Sequence, residues 1–283
     1  MKPTKTLFIG LLAITAVIGL GVSLSLGDEK EKKGFDLFKE GLKLFKALQP
    51  IGYDEELALG GAVAIEVFQR FGGSYDDPKV LKYVNLVGNA VAQFSDRPNI
   101  PYHFSILNSE QPNAFAAPGG YVFVTVGLLK NVRNEAELAG VLGHEIAHVS
   151  EKHALKTIQR GKTLKGIGEF SLGVMNKDPK LFASVIGELT GMLFQRGLDR
   201  SMEFEADRIG TEYATRVGYN AIGLRDFLNT LRREEGQVKS IFFQTHPSVS
   251  TRISQLDKVL PVLEEGFQGG FLHKRYTNWV KFQ

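Results

Sequence analysis

The apolar and polar positions along the chain divide it into a few stretches with different periods. The uncharged, mostly apolar run from Leu7 to Leu26 would make a helix roughly 30 Å long, about the thickness of a bilayer's hydrocarbon core. Lys2 and Lys5 precede it and the mixed-sign DEKEKK follows, so the pattern predicts a membrane-targeting segment that directs the rest of the chain out of the cytoplasm. Ser23 and Ser25 form a small-x-small pattern. Residues 1–27 are therefore either a cleaved signal peptide or an anchor in the inner membrane through residues 7–26. Next, FDLFKEGLKLFKAL carries apolar residues at amphipathic spacing within a lead-in over 28–53, and it is expected to pack on the domain in preference to lying on a membrane. Helices are predicted from Asp54 to Phe71, closed by Gly72 and Gly73, and from Pro78 to Phe94. Between Tyr102 and Val126 the period shortens: YHFSIL alternates, and Pro118, Gly119 and Gly120 separate two β-prone pieces, which predicts a small sheet with a hairpin. Helical spacing resumes at Asn134 and continues to about Leu260. The expected fold is α+β and mainly helical, with the main domain over 54–262 and a C-terminal tail over 263–283.

Composition changes this picture in two ways. With 283 residues, 43% of them hydrophobic and 23% charged, the chain can bury a substantial core. A net charge of +3, with acidic and basic residues interspersed, gives no footprint for nucleic acid. There is no cysteine, which excludes disulfides, thiol nucleophiles and thiolate-held metals, so any transition-metal site must be built from histidine and carboxylate.

GVLGHEIAHVSEKHA, residues 140–154, supplies such ligands. His144 and His148 lie four residues apart, on one face of a helix, where both imidazoles can reach the same ion. Leu138, Val141, Leu142, Ile146 and Val149 surround them and predict a well-packed helix that holds the rings still. Glu145 is placed to act as general base for a water whose pKa zinc lowers to about 7. A catalytic zinc takes three protein ligands. The extended histidine pattern does not provide the third, because Ala154 stands at that position and Glu151 stands where the pattern requires glycine. His153, about 140° round a continuous helix from His148, is expected at the surface. In DRSMEFEADRIGTEYA, Glu203 and Asp207 are again four apart, one to bind the metal and the other to accept the free N–H of a ligating histidine. Glu205 points away from that face and is the lesser candidate. GKT at 161–163 lacks the glycine five residues upstream that a phosphate loop needs.

HEIAH, the EFEAD segment from Glu203 to Asp207, PNAFAAPGGYVFVTVGLL and THPS together resemble the HtpX, BepA and CAAX prenyl protease family, the forty-eighth family of metallopeptidases. The similarity spans roughly residues 50 to 260. It implies a gluzincin fold with one Zn2+ on His144, His148 and Glu203, with Glu145 as base and Asp207 orienting a ligand. It also implies that Asn113, Ala114, Phe115 and Ala116 form a strand beside the cleft, where an unfolded substrate can add as an extra strand. In such proteins His246 either stabilises the oxyanion or fills the metal's open position. The chain is most similar to soluble BepA-like members. LFASVIGELTGMLF at 181–194 is too short to span a bilayer and carries Glu188, and the long C-terminal helical-repeat domain of BepA itself is not expected. The implied activity is a zinc metalloendopeptidase hydrolysing unfolded or misassembled proteins in periplasmic quality control. The alternative is a zinc-stabilised chaperone that binds exposed strands and rarely cuts. The basic, aromatic tail FLHKRYTNWVKFQ is expected either to touch a membrane or partner or to pack on the domain.

Overall fold

A computed structural model of the chain describes residues 51–164, 179–233, 242, 245–265 and 269–282. The apolar run from Leu7 to Leu26 and the amphipathic stretch from Phe35 to Leu48 lie outside the described residues. Helix α1 (Tyr53–Arg70) and helix α2 (Pro78–Ala92) follow the apolar spacing, and the Asp77 side chain caps α2 by accepting from the amides of Lys79 and Val80. Strands β1 (His103–Leu107), β2 (Ala114–Ala117) and β3 (Tyr121–Thr125) form a three-stranded sheet of order β1-β3-β2. The expected hairpin is β2–β3, antiparallel with Phe115 opposite Phe123, and it turns through Pro118–Gly120. β1 joins the other side of β3 in parallel, leaving β2 at the sheet's edge. The short α3 (Val126–Asn131) leads to α4 (Glu135–Ser150), whose N-terminus is capped by Asn134. Then come α5 (His153–Leu164), α6 (Pro179–Gly191) with a π-helical turn at Met192–Arg196, α7 (Arg200–Val217), α8 (Gly223–Arg232), α9 (Val249–Leu263) and α10 (His273–Trp279). Among the described residues no helix is long and apolar enough to cross a membrane.

α4 is the centre of the core formed by the described residues. All its residues are buried, and it packs against α2, α7, α8 and the sheet. Its closest neighbour is α7, and the two helices touch through glycines. A Cβ on Gly210 would come 2.4 Å from the carbonyl carbon of Gly143, and one on Gly143 would come 2.4 Å from the Gly210 oxygen. Such distances admit only hydrogen at both positions.

Two buried carboxylates tie other elements to this core. Glu56 of α1 is fully buried and accepts a bidentate pair from Arg97 at 2.8 and 2.9 Å. It also accepts from the Gly119 amide at 3.0 Å and lies 3.3 Å from Lys152 Nζ. Burial alone would raise its pKa, but these donors and charges hold the carboxyl below its usual range. Glu135, in the first turn of α4, accepts from Tyr83 at 2.5 Å, from Tyr219 at 2.7 Å and from both arms of Arg275. Through this clasp α10 joins the domain, with Tyr276 buried in the core and Trp279 stacked on Tyr83. The aromatic tail thus takes the packed alternative of the two expected from sequence.

One expectation is overturned: His153 is completely buried. The helix does not continue through it. Lys152 takes a left-handed conformation, φ 55°, between α4 and α5, and so turns His153 back under α4. A side chain in that region costs about 1–2 kcal/mol, and the Lys152–Glu56 ion pair offsets part of it.

Two predictions follow from this packing. Gly210→Ala forces the two helices apart and is expected to lower stability by about 3 kcal/mol in urea unfolding; an unchanged midpoint would refute the tight crossing. Glu56→Gln leaves Arg97 without its buried partner and is expected to cost about 3 kcal/mol at pH 7. Because the folded pKa of Glu56 lies below the unfolded value of about 4.3, its contribution is present above that pH and disappears as pH falls through the folded value. Urea curves of parent and variant should therefore converge on acidification, and a gap independent of pH would argue against this role.

Candidate functional site

α4 and α7 bring the predicted site residues together. From α4, His144 and His148 set their rings nearly perpendicular, with centroids 4.6 Å apart and their Nε2 atoms 3.0 Å apart. From the first turn of α7, the Glu203 carboxylate lies 3.7 Å from His144 Nε2 and 3.5 Å from His148 Nε2. All three residues are buried. For a tetrahedral ion with ligand bonds of about 2.0–2.1 Å, neighbouring donors stand about 3.3–3.4 Å apart. The observed spacings bracket that value, so these donors fit a cation.

The hydrogen bonds behind the two imidazoles make the fit stronger. Asp207 Oδ1 lies 2.9 Å from His144 Nδ1 and can only accept, so Nδ1 carries the proton and Nε2 is left bare. Arg252 donates to both oxygens of Asp207, at 2.6 and 2.9 Å, and so fixes that carboxylate. Burial would raise Asp207, but the charge of Arg252 and the bond from His144 bring it down to about 2. On His148 the far nitrogen, Nδ1, faces Nδ1 of His153 at 2.9 Å, and Nε2 of His153 faces Glu205 at 3.2 Å. Since Glu205 can only accept, His153 carries its proton on Nε2. His148 must then donate from Nδ1, and its Nε2 is bare too. Two lone pairs 3.0 Å apart beside a carboxylate repel one another unless a cation lies between them. Burial depresses the pKa of both imidazoles, which disfavours a proton in that role.

The remaining predicted residues stand close by. Glu145, next to His144 on α4, is buried, and burial followed by the charge of Glu203 raises its carboxyl to about 8. His246 donates from Nδ1 to Glu203 Oε2 at 2.6 Å, and among the described residues His144, Glu203 and His246 form a set of three possible metal donors that differs from the expected one in having His246 in place of His148. Burial would raise Glu203, but the surrounding imidazoles of His246 and His148 hold it well below its usual range. Asn113 lies just before the edge strand that contains Ala114, Phe115 and Ala116. It is buried, receives the Ala114 amide on its side-chain oxygen, and leaves its Nδ2 without a partner among the described residues. Ala116, Ala117 and Pro118 line a small cavity with His148, which puts the end of β2 beside the donor cluster.

Glu205, weighed from sequence as a rival ligand, is turned away from the donors and holds His153. Arg252 was not singled out in the sequence, although a signal was present. It falls within the apolar stripe of Val249, Ile253, Leu256 and Leu260, where an exposed arginine has no place.

Comparison with known proteins agrees with this geometry. The description of peptidase family M48 matches residues 78–260. The chain is 32% identical over 214 residues to the beta-barrel assembly-enhancing protease of Yersinia pestis, covering 72% of this chain and 43% of that one. It is 29% identical over 217 residues to the protease of the same name from Escherichia coli (strain K12), covering 71% and 44%. With the mitochondrial metalloendopeptidase OMA1 of Bos taurus it shares 32% identity over 166 residues, covering 55% and 32%. The chain therefore spans less than half the length of these relatives. A match across more than half of the chain, over the helices that assemble the donor cluster, shows that it belongs to peptidase family M48, a family of metallopeptidases.

Proposed function

We propose that this chain is a zinc-dependent endopeptidase that cuts unfolded or misassembled proteins outside the cytoplasm. The observation that carries the reading is the pair of Nε2 atoms 3.0 Å apart, completed by the Glu203 carboxylate, with Glu145 on the same helix. Histidine and carboxylate donors at tetrahedral spacing suit zinc. When bound, zinc supplies a Lewis acid that polarises the peptide carbonyl and acidifies a water.

The chain's own residues perform the other tasks. Asp207 and Arg252 hold His144 in its ligating tautomer. Glu145 takes the proton of the attacking water and returns it to the departing amine nitrogen. Burial and the neighbouring Glu203 charge raise its affinity for a proton, which suits a group that must take one up. β2 lies at the edge of the sheet beside the donors, a place where an extended substrate would pair once that edge is uncovered, a form of recognition suited to unfolded chains of varied sequence. His246, seated on Glu203 beside His144, takes up space that water or substrate needs, so it is read as slowing the enzyme. The N-terminal apolar run supports an extracytoplasmic location, as an anchored or released protein. The names of the two bacterial relatives support a place in envelope protein quality control.

The buried donors and the seated His246 also favour a second reading, a zinc-stabilised assembly factor that binds strands without cutting them. The two readings separate in one experiment. The purified chain is expected to hold about one zinc and to cleave casein, to lose cleavage with a chelator, and to regain it when zinc is returned. Glu145→Gln should keep the zinc and lose about 10²- to 10⁴-fold in rate. Zinc retained with no cleavage by the parent or by His246→Ala would favour the assembly factor, and absence of zinc would sink the metal assignment. His246→Ala is expected to speed casein cleavage, whereas a slower variant would make His246 a helper of the reaction.

A further inference from the structure

The two imidazoles of HEIAH are supported differently. Behind His144 stands a carboxylate fixed by a buried arginine. Behind His148 stands another histidine. We propose that His153, backed by Glu205, is a positioning residue that holds His148 in the tautomer presenting Nε2 to the metal. The proposal rests on the zinc-site reading above and extends it to residues outside the ligand set.

Three observations carry it. The first is reach: His148 Nδ1 and His153 Nδ1 are 2.9 Å apart, and His153 Nε2 lies 3.2 Å from Glu205 Oε2, so both nitrogens of His153 are engaged. The second is polarity. Glu205 has no proton to give, which places the single proton of neutral His153 on Nε2 and leaves Nδ1 able only to accept. The proton of His148 is therefore drawn to Nδ1, away from the donor cluster. The third is how the chain brings His153 there. An uninterrupted helix would carry it about 140° away from His148. Lys152 breaks the helix in a conformation that side chains rarely adopt, and His153 begins the next helix completely buried against the site. Glu205 sits two residues after Glu203 on α7, so one turn of helix supplies both a carboxylate for the metal and the anchor for the histidine behind His148. A surface histidine would need none of this.

The test reads the tautomer and the metal separately. In the full chain labelled with 15N at histidine and kept in detergent, NMR through the ring protons should show His148 carrying its proton on Nδ1, both metal-free and after addition of zinc. A bare Nδ1 on His148 in both states would overturn the proposal. Zinc affinity is then measured by competition with a chromophoric chelator. His153→Phe fills the ring's space without an acceptor and is expected to bind zinc about 10- to 100-fold more weakly. His153→Asn, whose side-chain oxygen falls near the position of Nδ1, should recover most of that loss. Equal affinity in the parent and His153→Phe, or equal losses in both variants, would reduce His153 to packing and overturn the proposal. Should His153→Phe fail to fold, the NMR result on the parent decides alone. A parent that takes up no zinc would refute the zinc reading instead, and the proton position on metal-free His148 would still judge this one.

Discussion

The contact between Gly143 and Gly210 sets the distance on which the site depends. Glu203 and Asp207 come from one helix and His144 and His148 from another, so the gap between the helix axes fixes every cross-helix distance in the cluster. With glycine on both sides the backbones meet directly, and short carboxylate side chains reach the imidazoles without strain. A side chain at this crossing would push the two helices apart and draw Glu203 away from the two Nε2 atoms.

Around that crossing the polar groups are arranged so that lone pairs point inward and protons outward. Asp207 and Glu205, both on α7, each terminate one hydrogen-bond path leading away from an imidazole, the first directly and the second through His153. The two ends are not alike. Asp207 is sealed in by Arg252, whereas the Glu205 side chain is 44% exposed. One imidazole is thus backed by a buried ion pair and the other by a path that reaches solvent.

Much of this was legible in the sequence because it is local. Helical spacing with Gly and Pro breaks located α1 and α2, the Pro118–Gly120 turn located the β2–β3 hairpin, and four-residue spacings placed His144 with His148 and Glu203 with Asp207 on common faces. What escaped depends on contacts between distant segments or on an unusual backbone. The parallel pairing of β1 with β3 leaves no trace in the alternation of either strand. His153 was misplaced because nothing about a lysine announces a left-handed residue, and only the folded context, with Glu56 beside it, makes that conformation affordable. Arg252 differs, since its position in an apolar stripe was visible and its partner was not.

The clasp on Glu135 has a consequence for the order in which the chain acquires its site. Arg275 meets Glu135 across 140 residues of sequence, among the longest-range pairings in the molecule. Closing so long a loop is entropically slow, and on a chain made from its N-terminus Arg275 is synthesised long after the HEIAH helix. Until it arrives, the first turn of that helix holds a buried carboxylate without its cation. The fold thereby ties the helix that carries the donor cluster to a segment synthesised 140 residues after its first turn.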